Sequence, residues 1–245
     1  MKTALITGAS SGVAQALARE LLDRGWKLSL ACRDVARLDA ALGHVQVADV
    51  STEAGAQAAL VAATAAFGGP PAAVVNCAGS TLIAPISRTS EAQYRDVLSA
   101  NLDTAFFVGK AYATGLAAAR QGGALLFFSS VVAGIGVSNH AAIAAAKGGV
   151  EALTRSLAAD FSAIGLRVNC IAPGLTRTPM TERMLGNEAA ARQIAAQYPL
   201  GRHGEAQDAA ALAAFLVSSD AGWITGQVIG LDGGFSAVRP YVKAG

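Results

Sequence analysis

Charge is what this chain lacks most: only 15% of its 245 residues are Asp, Glu, Lys or Arg, and aromatic residues reach only 6%. The 19 basic and 17 acidic residues leave a net charge of +2 spread along the chain, which excludes the basic footprint of a nucleic-acid binder. Two segments, Ala54–Ser87 and Gln121–Ala146, carry no Asp, Glu, Lys or Arg. Neither is an uninterrupted apolar run of about 20 residues, because Gly, Pro, Asn, Ser or His breaks each, so no membrane span is expected. The strand-like run at the N-terminus is read as part of the fold, and no signal peptide is expected. Cys32, Cys77 and Cys170 are odd in number and far apart, which fits reduced thiols in a cytoplasmic protein and no disulfide framework. No metal-ligand spacing links the three His residues, and no repeat or linker is present.

What remains is an apolar chain, 53% hydrophobic, in which short apolar runs alternate with longer helical ones. Strands are expected at Thr3–Thr7, Trp26–Cys32, His44–Ala48, Ala73–Asn76, Ala124–Ser129, Leu166–Ile171 and Gln227–Leu231. Helices are expected at Gly12–Asp23, Thr52–Phe67, Glu91–Arg120, Ala141–Ala163 and Ala206–Val217. Uniformly apolar strands separated by helices predict an α/β fold: a single Rossmann-like, doubly wound parallel sheet with helices on both faces, spanning 1–245. The longest irregular stretch, about 173–205, is expected to be a lid loop over the carboxyl ends of the strands.

Glycines group where strands end. Thr7-Gly8-Ala9-Ser10-Ser11-Gly12-Val13-Ala14 lies between the first strand and the first helix. There Gly8, Ser10, Ser11, Gly12 and Val13 can bring backbone N–H groups and a helix N-terminus to a pyrophosphate. At the end of the second strand, where an acidic residue would hold the ribose of NAD, stand Cys32 and Arg33. With no carboxylate to repel a 2′-phosphate and an Arg to pair with it, NADP is the expected cofactor.

Taken together with Asp49-Val50, Asn76-Cys77-Ala78-Gly79 and Pro173-Gly174-Leu175-Thr176-Arg177-Thr178, this loop resembles the short-chain dehydrogenase/reductase family over nearly the whole chain. The last Gly of the family's first motif is Ala14 here, and the second Asn of Asn-Asn-Ala-Gly is Cys77. The resemblance implies cofactor contacts from Asp49, Val50, Asn76, Ala78, Gly79, Pro173, Gly174, Thr176 and Thr178. It also implies a homo-oligomer, most simply a tetramer, whose Ala-rich helices can approach a symmetry mate closely.

The family's catalytic set maps onto Ser130, Asn101 and Lys147, with Lys147 also holding the nicotinamide ribose. The tyrosine four residues before Lys147, which gives a proton to the substrate carbonyl, is Ile143. General acid catalysis is typically worth about 10² to 10⁴ in rate, so another proton source is needed for carbonyl chemistry. His140, three residues before Ile143, is the candidate acid within the segment. Three readings follow. The first is an NADPH-dependent reductase of a mostly apolar small ketone or 3-oxoacyl-type carbonyl, with the proton from His140, from water near Lys147 or from the substrate. The second is a reductase of a substrate needing no acid, such as an iminium ion. The third is a non-catalytic NADPH-binding subunit. The first leads because Ser130, Asn101 and the lid are features a scaffold does not need. The lid's Leu175, Met180, Met184 and Leu185, beside Arg177 and Arg183, suit a mostly apolar small-molecule substrate.

Overall fold

A computed structural model describes residues 2–239; Met1 and residues 240–245, which the single-domain reading also covers, lie outside the described residues. The chain runs β1 (Thr3–Thr7), α1 (Gly12–Asp23), β2 (Lys27–Cys32), β3 (His44–Val47), α2 (Glu53–Phe67), β4 (Ala73–Asn76), α3 (Glu91–Leu98), α4 (Thr104–Ala119), β5 (Gly123–Phe128), α5 (Ala141–Phe161) and β6 (Leu166–Pro173). It continues with β7 (Thr176–Arg177), α6 (Glu188–Ala195), β8 (Gly204–Glu205), α7 (Ala206–Val217) and β9 (Val228–Leu231).

Seven strands form one parallel sheet in the order β3-β2-β1-β4-β5-β6-β9. The order reverses between β1 and β4, so the loops leaving these two strands part and open a crevice at their carboxyl ends. Strands β1 and β4 are buried along their whole length because both faces are covered. On one face, Leu17 and Leu21 of α1 and Ala210, Ala213 and Ala214 of α7 pack on Ile6, Leu30 and Leu126. On the other, Leu60 of α2, Tyr112 and Leu116 of α4, and Val150 of α5 pack on Leu5, Val74 and Phe127. Burying a side chain of this size is worth about 1.5–3 kcal/mol, so these two layers hold the strand ends in place.

Two expectations are corrected. The helix expected over Glu91–Arg120 is interrupted by a wide π turn at Ser99–Asp103, which separates α3 from α4. Buried Asn101 lies within this turn, and its amide donates back to Val97 O at 2.9 Å. The stretch expected to be irregular over 173–205 contains a 3₁₀ turn at Glu182–Leu185 and the helix α6. Asn187 caps α6, its side chain accepting from Ala190 N at 2.8 Å, and this Asn-plus-Ala-rich pattern was outweighed by the Gly, Pro and Thr around it. The two-residue pair β7–β8 ties the ends of this segment together. Among the described residues, no helix is long and apolar enough to cross a membrane.

Candidate active site

The glycines of the first loop are demanded by close approach. Gly8 sits at φ +62°, and a Cβ on it would collide with the backbone of Cys77 and Ala78, so only glycine lets the loops after β1 and β4 touch. Ser11 caps α1, its Oγ accepting from Ala14 N at 3.3 Å, and leaves the N–H groups of Gly12 and Val13 at the open end of the helix. Ala14 is fully buried in the core, so the methyl that replaces the motif's last glycine is accommodated. A Cβ on Gly12 would stand 3.0 Å from Pro179 Cδ and 3.3 Å from Thr178 Cβ, which puts the start of the lid segment against this loop. A cradle lined by bare glycine backbone and a free helix N-terminus fits a pyrophosphate.

At the outer end of β2, Cys32 is buried and its thiol donates to Asp34 O at 3.2 Å. Burial pushes its pKa up, so it is a neutral thiol and adds no charge against an anion. Arg33 and Arg37 are exposed, and neither forms a salt bridge among the described residues. Asp49 accepts from Ser51 Oγ at 2.7 Å and Ser51 N at 3.1 Å, bonds that hold its carboxyl below the usual range. The neighbouring Val50 is buried.

Asn76 is spent inside the protein. Its Oδ1 accepts from Thr7 Oγ1 at 2.6 Å and Ala78 N at 3.2 Å, and its Nδ2 donates to Thr104 Oγ1 at 3.3 Å. The amide thus fastens β1, β4 and α4 together beneath the crevice and shapes the turn that presents Ala78 and Gly79. Asn101 donates to Val97 O at 2.9 Å and Ser80 Oγ at 3.2 Å and accepts from Ser80 N at 3.3 Å. Lys147, 8% exposed, donates from Nζ to Phe128 O at 2.8 Å. Burial pushes its pKa down to about 8, a shift that the nearby thiols of Cys170 and Cys77 partly oppose. A Cβ on Gly79 would lie 2.9 Å from Asn101 Oδ1 and 3.5 Å from Lys147 Nζ, so these three residues converge.

Ser130, half-buried, caps the short turn Val131–Ala133, its Oγ accepting from Val132 N at 3.4 Å. Ile143 is 4% exposed and packs with Val97 and Ala146 in a small apolar cluster that Leu82, Leu98, Val132 and Ala142 complete. His140 is not on the helix proper: it occupies the cap position of α5, and its Nδ1 lies 2.7 Å from Ser138 O. A carbonyl only accepts, so the neutral ring carries its proton on Nδ1 and Nε2 has none to give.

In the lid segment, Gly174 N donates to Leu231 O at 3.0 Å, and Thr176 Oγ1 donates to Gly174 O at 3.2 Å. Thr178 N donates to Thr181 Oγ1 at 3.0 Å, which firms the turn after Pro173-Gly174. Met180 is exposed, whereas Leu185 is buried and so belongs to the packing of the segment itself. Arg177 is held by Glu182 at 3.2 Å and by His203 at 3.1 Å.

Tyr198 and the pair Ser129 and Glu151 support the site although no motif marks them. Tyr198 Oη accepts from Leu175 N at 2.7 Å, and its ring fills the space that a side chain on Gly174 would need. Ser129 donates to Glu151 Oε1 at 2.7 Å, tying the end of β5 to α5 one turn past Lys147; the four-residue spacing of Lys147 and Glu151 was the available signal. The thiol of Cys77, pushed up to about 12 by burial, is neutral beside Lys147.

Residues 8–236 match the family model described as enoyl-(acyl carrier protein) reductase. The chain belongs to the short-chain dehydrogenase/reductase family. It is 32% identical to a tropinone reductase homolog of Arabidopsis thaliana over 96% of this chain and 92% of that one. It is 36% identical to the inactive 2-(S)-hydroxypropyl-CoM dehydrogenase 2 of Xanthobacter autotrophicus, covering 91% of this chain and 100% of that one. A solved short-chain type dehydrogenase/reductase from Mycobacterium ulcerans superposes with a TM-score of 0.89 at 30% identity, over 97% of this chain and 90% of that one. Membership makes the chain an oxidoreductase by lineage, with the fold of a family that binds a nicotinamide cofactor.

Proposed function

We propose that the protein is an NADPH-dependent reductase of a small, mostly apolar carbonyl compound, in which Lys147 supplies the proton that a tyrosine gives elsewhere in the family. The observation that carries this reading is the convergence of Gly79, Asn101 and Lys147, with Lys147 pushed down to about 8. A lysine tuned toward neutral pH is half of what general acid catalysis needs, and the other half is reach. Ile143 leaves no hydroxyl between Lys147 and the crevice, so the ammonium would pass its proton to the substrate oxygen through a water molecule. Ser130 Oγ, which only accepts from Val132 N, keeps its own proton free and would donate it to the same oxygen.

Bound NADPH would supply the hydride. The first loop, from Gly8 through Ser10, Ser11, Gly12 and Val13, would hold the pyrophosphate, and Arg33 would pair with the 2′-phosphate beside the neutral Cys32. Asp49 and Val50 would flank the adenine. Ala78 and Gly79 would line the nicotinamide ribose with Lys147, and Pro173, Gly174, Thr176 and Thr178 would face the carboxamide. Asn76 would act from below, by shaping the Cys77–Gly79 turn. We take the whole chain as one cofactor-binding domain that assembles as a homo-oligomer.

The burial of Ile143 among aliphatic side chains favours a second reading, a cofactor-binding subunit without turnover. A relative described as inactive supports keeping it. Following NADPH oxidation across a panel of activated ketones and cyclic imines separates the two. Consumption with ketones, lost in Lys147→Met, is the expected result. Stoichiometric NADPH binding with no consumption by any member of the panel would establish the second reading instead.

A further inference from the structure

Two charged side chains of α5 reach the same short piece of chain. Lys147 and Glu151 are one helical turn apart and share the face that packs on the sheet. Lys147 Nζ donates to Phe128 O at 2.8 Å, and Glu151 Oε1 accepts from Ser129 Oγ at 2.7 Å. Two successive residues at the end of β5 are thus gripped by two successive turns of one helix. The next residue along the chain is Ser130.

The grip matters because β5 is losing its other supports at this point. Its pairing with β4 ends at Asn76 and Phe127, and beyond that pair Ser129 N donates to Ile171 O of β6 at 2.7 Å. Phe127 packs on the side of the sheet that α4 and α5 cover, and Ser129, two residues on, points the same way. Ser129 is 4% exposed, so its hydroxyl must find a partner inside the protein. Its single proton goes to Glu151, because the other acceptor in reach, Lys147 O, is at 3.4 Å. A hydrogen bond to a carboxylate is shorter and stronger than one between neutral groups, which makes this the firm member of the pair.

We propose that Glu151 is a positioning residue: through Ser129 it fixes the end of β5 against α5, and so places both the Phe128 carbonyl that holds Lys147 and the hydroxyl of Ser130. The proposal rests on the reading of Lys147 and Ser130 as the groups that serve the substrate oxygen. Glu151 acts at one remove, through Ser129. Among the described residues, Phe128 O is the one hydrogen-bond acceptor that Lys147 Nζ meets. The titratable groups that face Lys147 are Cys77, after β4, and Cys170 of β6, which also lies beside Glu151. Burial pushes both thiols up to about 12, so they are neutral and leave Phe128 O as the group that favours the ammonium.

The test is titration of the Lys147 amine itself, by NMR of the full-length protein carrying lysine labelled with carbon-13 at Cε, with Lys147→Met identifying the resonance. The wild type is expected to titrate near 8. Glu151→Ala and Ser129→Ala should each lower that midpoint by about half a unit to one unit, because a loosened Phe128 O no longer favours the charged form. Glu151→Gln keeps an acceptor for Ser129 without the charge and should hold most of the wild-type midpoint. The double alanine variant should shift no further than either single one, since the same bond is lost in all three. An unmoved midpoint in the alanine variants would overturn the proposal. So would an equal fall in Glu151→Gln, which would mean that the carboxylate acts by its charge and not by holding Ser129. Ser129→Ala cuts the bond from the strand side, so the test does not depend on the folding of Glu151→Ala. The titration needs neither cofactor nor turnover, so the expected shifts in a protein that consumes no NADPH count against the reductase reading alone.

Discussion

Lys147 and Asn101 meet over the α-carbon of Gly79: a single methyl placed there would stand 2.9 Å from Asn101 Oδ1 and 3.5 Å from Lys147 Nζ. Asn101 cannot step aside cheaply, since its amide is engaged by Val97 and Ser80. Gly79→Ala is therefore expected to weaken NADPH binding tenfold or more, at a stability cost of about 1–3 kcal/mol from overpacking. Fluorescence titration and thermal melting check the two effects separately. Unchanged affinity would mean that the three residues do not border the cofactor.

The pH dependence follows from Lys147. If its ammonium is the acid, the active form is the protonated one, so the rate of ketone reduction should be level at neutral pH and fall tenfold per unit above about 8. The contribution of Lys147 to the stability of the unliganded protein should move the opposite way. The folded-state pKa lies below the unfolded one, so at this group the unfolded chain binds more protons between about 8 and 10.5, and the contribution of Lys147 to stability rises with pH across that window. Below it, the buried charge is a standing cost on the order of a few kcal/mol. Denaturant melts from pH 7 to 10.5 should show the wild type gaining stability relative to Lys147→Met as pH rises, while the buried thiols of Cys77 and Cys170 pull both chains down above about 9.

How much of this was legible beforehand depends on whether backbone or surroundings carried the signal. Gly8 was legible because a positive φ and a backbone-to-backbone contact leave glycine no alternative, and the motif sits between a clean strand and a clean helix. The strands were legible because burial on both faces makes them continuously apolar. The π turn was not, since Ser99–Asp103 reads as helix in every local respect and the turn is set by what Asn101 bonds. Ile143 was visible as a missing tyrosine, but its apolar cluster draws Leu82 and Val97 from distant parts of the chain. His140 is legible as a candidate acid from its spacing to Ile143, but its place at the cap of α5 follows from Asn139, which turns the backbone just before it.

Cofactor preference should lie with NADPH. Arg33 is exposed and unpaired among the described residues, and a charge-assisted bond to a 2′-phosphate is worth about 1.5–3 kcal/mol, roughly ten- to a hundredfold. Arg33→Ala should erase most of that preference while leaving NADH affinity unchanged. An equal affinity for both cofactors in the wild type would refute the assignment.

One apolar feature on the surface is suited to assembly. Phe106 of α4 is 48% exposed beside a groove formed with Leu102, Gly149 and Leu153, and Trp223 is 100% exposed. The contiguous apolar surface around Phe106 is of the kind that a contact between copies would bury, which a lone exposed side chain such as Trp223 is not. Light scattering at micromolar concentration should give a tetramer, and Phe106→Arg should shift it to a smaller species. A wild-type monomer at that concentration would contradict the oligomer.

The sharpest test replaces Ile143. The side chain projects into a cluster bounded by Leu82, Val97, Leu98 and Val132, one helical turn before Lys147. Ile143→Tyr would set a phenol between Lys147 and the crevice, and the adjacent ammonium would lower its pKa by favouring the phenolate. A positioned acid is worth about 10² or more, so reduction of simple activated ketones should rise by that factor over the wild type. The rate should also lose its simple dependence on the protonation of Lys147, because the proton then leaves the tyrosine. The opposing term is steric: the aliphatic neighbours already fill the space, and overpacking costs about 1–3 kcal/mol, which a thermal melt reads directly. Shortening Leu82 to Ala in the same chain makes room if that cost dominates. A folded, NADPH-binding double variant with no gain in ketone reduction would mean that the crevice no longer orients a carbonyl, and the cofactor-binding subunit without turnover would become the better description.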